Sequence, residues 1–224
     1  MVMFRDRDHA GELLGRLINQ QIDDVHNGIV LALPRGGVPV GAKVAQRLDL
    51  PLDAYVVRKL GVPGHSEYAM GAIASGGVQV LNTSAIERLK ITPQMVAEAV
   101  QRELPELERR ERAYRFGRPP LDLTDRTVIL VDDGIATGAS MRAAIEAMQI
   151  NKARTTIVAV PVAPKSTVSA IEPTVDRVIV LDMPDPFSAV GFHYANFDQT
   201  SEDEVRQLLA AVDHKDDLVN KPDS

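Results

Sequence analysis

The chain has 224 residues, 45% of them hydrophobic and 25% charged, with a formal net charge of −6; this is ordinary globular composition on the acidic side. That balance opposes non-specific attachment to nucleic acid or to an anionic membrane, since both present negative charge. The lack of cysteine excludes disulfides, thiolate metal sites and a cysteine nucleophile; no apolar run approaches the ~18 residues of a membrane span, and the start, MVMFRDRDHAGELL, scatters charges where a signal peptide needs an apolar core. No membrane association and a cytoplasmic location are expected.

In chain order, Asp8 is a good cap, and Leu13, Leu14, Leu17, Ile18 and Ile22 form one apolar stripe, predicting an amino-terminal helix. GIVLALPRGGVPVGAKVAQRL predicts a buried strand over 29–33, a tight Pro-Arg-Gly-Gly turn and a helix from about 38 to 48. LDAYVVRKL reads as a second strand. The next stretch carries Gly61, Gly64, Gly71, Gly76 and Gly77, which predicts a mobile loop, 61–77, closing into a hairpin in which 70–74 pair with 78–81. A helix then starts with Thr92 as cap and Pro93 at its first position, and Pro105 is expected to kink or divide it.

RTVILVDD predicts a strand over 128–131, and a helix follows over about 140–149. ARTTIVAVPVA is a strand, STVSAIE a short helix and DRVIVLDM a last buried strand. From Pro184 the pattern turns irregular, a helix covers 201–212, and the polar tail 213–224 is expected to be disordered. Strands alternating with helices, several of them unbroken Val, Ile and Leu runs, define an α/β protein whose mostly parallel sheet is covered on both faces. One domain is expected over 1–212.

Ligands of such sheets bind beyond the carboxyl ends of the strands. Asp132 and Asp133 stand at such an end, where the chain is turning and two adjacent carboxylates can converge. They can accept hydrogen bonds from the vicinal hydroxyls of a ribose or help to hold a hard cation. Ala136, Thr137, Gly138, Ala139 and Ser140 are small residues at a helix start, where free amides and the positive dipole end favour a phosphate. A phosphorylated sugar satisfies both. In PRGG, Gly36 and Gly37 let backbone amides approach an anion that Arg35 can neutralise.

VILVDDGIATGAS resembles the phosphoribosyl pyrophosphate signature of the type I phosphoribosyltransferases, and the resemblance extends over about 28–200. It implies that PRGG is the pyrophosphate loop, often built on a cis peptide in that family. It further implies that 58–81 is a flexible loop closing over the reaction, with Arg58 and Lys59 contacting pyrophosphate and Glu67 as an acid/base group; His65 is a second candidate. The region 184–200, with the amino-terminal segment, resembles the hood over the base, where Phe187, Phe192 or Tyr194 could stack on a planar ring.

The chain departs from the hypoxanthine-guanine pattern at Ala136, where that type has aspartate, and near Glu172 or Pro173, where a purine-reading lysine is expected. A helical insertion, 91–118, does not match the adenine type, so the likeness is strongest to predicted phosphoribosyltransferases of unassigned acceptor. The resemblance implies a Mg²⁺-dependent transfer of the 5-phosphoribosyl group to a nitrogenous base, a purine among the candidates, by a homo-oligomer. The alternative is a regulator of transcription or RNA that binds phosphoribosyl pyrophosphate or a nucleotide. The arginines at 109, 110, 112, 115 and 118 are expected to form a solvated helix face, interleaved with Glu106, Glu108 and Glu111.

Overall fold

The computed structural model describes residues 3–22, 25, 27–62, 65–116 and 121–219, with backbone alone for 65–68 and 212–219. Its elements in chain order are α1 (Arg7–Gln21), β1 (Gly28–Ala32), α2 (Gly37–Leu48), β2 (Leu52–Ala54), β3 (Val57–Val62), β4 (His65–Ala74), β5 (Val78–Leu81), α3 (Thr83–Arg88) and α4 (Pro93–Arg115). There follow β6 (Thr127–Val131), α5 (Ala139–Ile150), β7 (Thr155–Val162), α6 (Lys165–Ile171), β8 (Arg177–Asp182) and α7 (Glu202–Val219).

Five strands form one sheet in the order β2-β1-β6-β7-β8, every pair parallel. Side chains alternate across it with period two. Val30, Ala32, Ile129 and Val131 meet Leu14, Ile18, Val44, Leu107 and Leu209 from α1, α2, α4 and α7. Ile29, Leu31, Val128 and Leu130 meet Ile145, Met148 and Ile171 from α5 and α6. The central strands are therefore apolar at successive positions because both of their faces are covered, as the expected α/β class requires. From β1 the chain crosses to β2 on one side and later returns to β6 on the other. This reversal leaves a crevice at the carboxyl ends of β1 and β6, the place where such sheets bind ligands.

Several expectations are corrected. The cap of α1 is Asp6, whose carboxylate accepts the His9 amide at 2.8 Å, and Asp8 falls in the first turn. The strand expected over 52–60 is two strands in different sheets. β2 ends at Ala54, and β3 belongs to a small antiparallel sheet, β3-β4-β5. The switch is fixed by Ser75, buried at 4% exposure, whose hydroxyl accepts the Val56 amide at 2.9 Å while its own amide donates to the Val56 carbonyl at 2.9 Å.

The expected hairpin is present, with Ala74 opposite Val78 and Gly71 opposite Leu81. The glycine-rich stretch before it is largely regular sheet rather than loop, since β3 pairs with β4 from Val57–Ala74 to Val62–His65, across bulges at Leu60/Gly61 and Gly61/Val62. Gly64 lies outside the described residues. α4 runs unbroken through Pro105. Pro105 and Gln101 are exposed, so the carbonyl that loses its amide partner faces water. Val96 and Ala99 before the proline and Leu107 and Tyr114 after it are buried in the same core, which holds both halves in line.

β8, expected to be buried, is an edge strand in which Ile179 alone is fully buried. α7 continues to Val219, past the start of the expected tail, and residues 220–224 lie outside the described ones. The arginine stretch is not uniformly a solvated face. Arg109 and Arg110 pair with Glu106, and Arg109 also with Glu202 of α7. Arg115 instead turns inward to Asp53 at 3.2 Å, with both side chains 6% exposed. Arg118 lies outside the described residues.

Candidate active site

The site is built where β1 and β6 lie side by side. Ala32 is in register with Val131, and the Leu33 amide donates to the Val131 carbonyl at 2.8 Å, so the PRGG turn and the acid pair leave the sheet together. The Pro34–Arg35 peptide is cis. The glycines that follow are required by contact. A Cβ at Gly36 would stand 2.0 Å from Asp133 Oδ2, and one at Gly37 would stand 2.8 Å from the Val131 carbonyl oxygen and 2.9 Å from Asp132 Cα. Thus Gly36 and Gly37 lie against Asp132 and Asp133, which the sequence separates by nearly a hundred residues.

Asp132 Oδ1 accepts the amide of Asp133 at 2.9 Å, and Asp133 Oδ2 accepts Arg7 Nε at 2.8 Å. Burial pushes both carboxyls above the usual range. Asp132 is pushed well above it, because the charge of Asp133 adds to burial, whereas Arg7 opposes the rise at Asp133. The pair therefore resists full ionisation. Groups that donate hydrogen bonds, or that carry positive charge, would favour its full ionisation.

Past the acids, Gly134 is pressed under the hood, where a Cβ would meet Val190 Cγ1 at 2.5 Å. Gly138, at φ +73, then turns the chain into α5, a left-handed conformation that favours glycine. No side chain caps that helix. The loop is braced from outside: Thr167 Oγ1 donates to the Ala136 carbonyl at 2.7 Å, and Arg142 Nη2 donates to the Thr137 carbonyl at 2.8 Å. Ala136 and Thr137 are exposed, with Ala139 and Ser140 half-buried behind them.

The remaining expected residues are placed less uniformly. Arg58 and Lys59 do not converge. Neighbours on one strand face opposite ways, so Arg58 pairs with Glu103 of α4, Nε to Oε2 at 3.1 Å, while Lys59 lines a cleft of about 490 Å³ with Arg142 and Glu146 of α5. Glu67 and His65 stand in β4, and their side chains lie outside the described residues.

Tyr194 is not an open stacking platform. It is 5% exposed, its ring packs on Phe4 and Phe197 at 5.3 and 5.0 Å, and its hydroxyl donates to the Asp133 carbonyl at 2.6 Å. Burial, then the nearby Asp133 charge, raises its pKa. Phe187 has one face on His193, at 5.7 Å and 15°, and Phe192 is 70% exposed. Glu172 and Pro173 sit in a 3-10 turn before the amino end of β8, the far end of the sheet from the site, so the departure expected there does not bear on the acceptor. Sequence reasoning missed Arg7, Thr167 and Arg142. Thr167 and Arg142 carry no motif, and Arg7 meets Asp133 across 126 positions.

The chain matches the model of the phosphoribosyl transferase domain over residues 6–196. It is 42% identical over 216 residues to a Mycobacterium tuberculosis protein that carries a provisional phosphoribosyl transferase name, a match covering 96% of this chain and 48% of that protein. The crystal structure of TT1426 from Thermus thermophilus superposes with a TM-score of 0.84 at 38% identity, covering 94% of this chain and 99% of that one. The chain belongs to the phosphoribosyl transferase family. It spans about half the length of the curated relatives it matches. No helix among the described residues is long and apolar enough to cross a membrane.

Proposed function

We propose that this protein transfers the 5-phosphoribosyl group from phosphoribosyl pyrophosphate to the nitrogen of a nitrogenous base and releases pyrophosphate. The observation that carries the reading is the contact between Gly36 and Asp133, which brings an amide-lined, arginine-bearing turn against two adjacent carboxylates one short loop from the start of α5. These three elements suit, in order, the leaving pyrophosphate, the ribose diol and the 5-phosphate.

Breaking the bond between C1 and the pyrophosphate oxygen leaves positive charge on the sugar and negative charge on the leaving group, and the base nitrogen then bonds to C1 and gives up its proton to the released pyrophosphate. Asp132 and Asp133 accept the ribose hydroxyls and lie where the sugar's charge develops. Arg35 and the Gly36 amide are assigned to the departing pyrophosphate, while the Gly37 amide donates to the Leu33 carbonyl at 3.0 Å and closes the turn. Amides at the start of α5, with Thr137 and Ser140, hold the 5-phosphate so that C1 stays in place.

Lys59 and Glu67 belong to the ribbon of the small sheet, whose movement over the site would bring them to the reaction and exclude water, while Arg58, on the other face of β3, holds the ribbon to Glu103 of α4. On the base side, the exposed ring of Phe192 and the second face of Phe187 are the aromatic surfaces on offer. A purine is one acceptor among several.

The described residues include no cluster of three or more carboxylates or histidines able to hold a metal ion. Asp133 is already engaged by Arg7. In this reading magnesium accompanies the donor as the counter-ion of its pyrophosphate. The test is pyrophosphate release from phosphoribosyl pyrophosphate and Mg²⁺ over a panel of purines, pyrimidines and small aromatic amides. Release with at least one base, abolished by EDTA and by Asp132→Asn with Asp133→Asn, is expected. A folded double variant with unchanged turnover would sink the assignment. The regulatory alternative gains nothing from the arginine stretch, where Arg109, Arg110, Arg112 and Arg115 all have acidic partners.

A further inference from the structure

Arg7 stands at the first position of α1, yet its side chain leaves the helix and is only 12% exposed. Its Nε donates to Asp133 Oδ2 at 2.8 Å, its Nη1 donates to the Asp198 carbonyl at 2.7 Å, and its guanidinium carbon lies 4.0 Å from the centroid of Phe197. One side chain thus joins the amino-terminal helix, the hood and the carboxyl end of β6.

The surrounding bonds close the same joint. The Phe4 amide donates to the His193 carbonyl at 2.8 Å, the Ala195 amide to the Phe4 carbonyl at 2.7 Å, and the Tyr194 hydroxyl to the Asp133 carbonyl at 2.6 Å. On its other side Asp133 Oδ2 is walled in by Gly36, where even a Cβ would not fit. Between that backbone and Arg7, Oδ2 is the more crowded of the two oxygens and already accepts a charged donor. The oxygen left to the sugar is Oδ1, and Arg7 fixes the plane of the carboxylate that carries it.

Resting on the phosphoribosyl reading, we propose that Arg7 is a positioning residue of the sugar site: it turns Asp133 Oδ1 towards a ribose hydroxyl and fastens the hood to the carboxylate that reads the sugar. Arg7 acts through Asp133 and does not touch the reacting atoms. A mutation here should therefore impair recognition of the diol far more than recognition of the phosphate.

The measurement is calorimetric titration of the full chain with ribose 5-phosphate and with 2,3-dideoxyribose 5-phosphate, which keeps the phosphate and lacks the diol. The readout is the ratio of the two dissociation constants. The wild-type chain should prefer the diol, and Arg7→Gln should shrink that preference about tenfold, the scale of one charge-assisted hydrogen bond. Asp133→Asn should do the same, and the double variant should lose no more than Asp133→Asn alone, because one acts through the other.

A preference unchanged in Arg7→Gln, or losses that simply add in the double variant, would overturn the inference. Should Arg7→Gln fail to fold, Arg7→Lys decides. That variant keeps the charge but cannot span Asp133 and the Asp198 carbonyl together, so a reduced diol preference supports the role and a wild-type ratio refutes it. A wild-type chain that binds neither ribose 5-phosphate nor phosphoribosyl pyrophosphate would overturn the phosphoribosyl reading itself, and this inference with it.

Discussion

Gly36→Ala isolates the contact on which the site depends. Gly36 has φ −61 and ψ −31, a conformation any residue adopts, so alanine brings no backbone strain there. What it brings is a carbon 2.0 Å from Asp133 Oδ2 and 2.6 Å from its Cγ. A carbon–oxygen contact settles near ~3.3 Å, so one side must give by more than an ångström. The carboxylate cannot retreat without disturbing its 2.8 Å bond to Arg7, in a pair only 12% and 14% exposed.

Overpacking costs about 1–3 kcal/mol and a lost charge-assisted bond about 1.5–3 kcal/mol. Because the two are alternatives as much as a sum, a destabilisation of about 3 kcal/mol is expected, a fall in Tm of roughly 6–12 °C for a chain of this size. Differential scanning fluorimetry reads this directly, and titration with ribose 5-phosphate should show loss of binding in the same variant. Gly76→Ala is the control. Nothing lies within 4 Å of its Cβ, and its φ of +78 adds only backbone strain, about 1–2 kcal/mol, with ligand binding unchanged. A Gly36→Ala protein that keeps both its Tm and its affinity would refute the claim that PRGG and the acid pair form one packed site.

Three further outcomes are expected. Asp132 has a folded pKa well above its unfolded value, so the stability it contributes is fully present below about pH 4 and is lost as pH rises through the raised value. Asp132→Asn should therefore raise Tm at pH 7.5 by an amount that dwindles on acidification towards pH 4, while turnover is lost; a Tm advantage independent of pH would contradict the assigned cause. Tyr194→Phe removes the 2.6 Å bond to the Asp133 carbonyl and should cost about 1–2 kcal/mol in urea denaturation. Arg115→Met removes the 3.2 Å ion pair to buried Asp53 and should cost about 3–5 kcal/mol, much of it recovered when Asp53 is also replaced by leucine; equal losses in the single and double variants would show that the pair is not what matters.

The sequence by itself determined the sheet and the donor-side motifs. Unbroken apolar runs such as GIVLA and TVILV declare strands covered on both faces, and VDDGIATGAS declares an acid pair and a helix-opening loop, because both signals are local and periodic. It misjudged places where a distant group overrides local propensity: Ser75 splits the strand at Val56, and the core on either side of Pro105 keeps α4 straight through a proline. Strand alternation already sets Arg58 and Lys59, adjacent in the chain, on opposite faces of β3, but their partners, Glu103 and the cleft beside α5, came only from the structure. Only the tertiary structure decided the pairings that make a site: Gly36 against Asp133, Tyr194 tied to the same residue, and Arg7 closing the joint across 126 positions. Such contacts leave no periodicity in the sequence, since they arise where the sheet reverses its strand order and brings together ends of the chain that share no local rule.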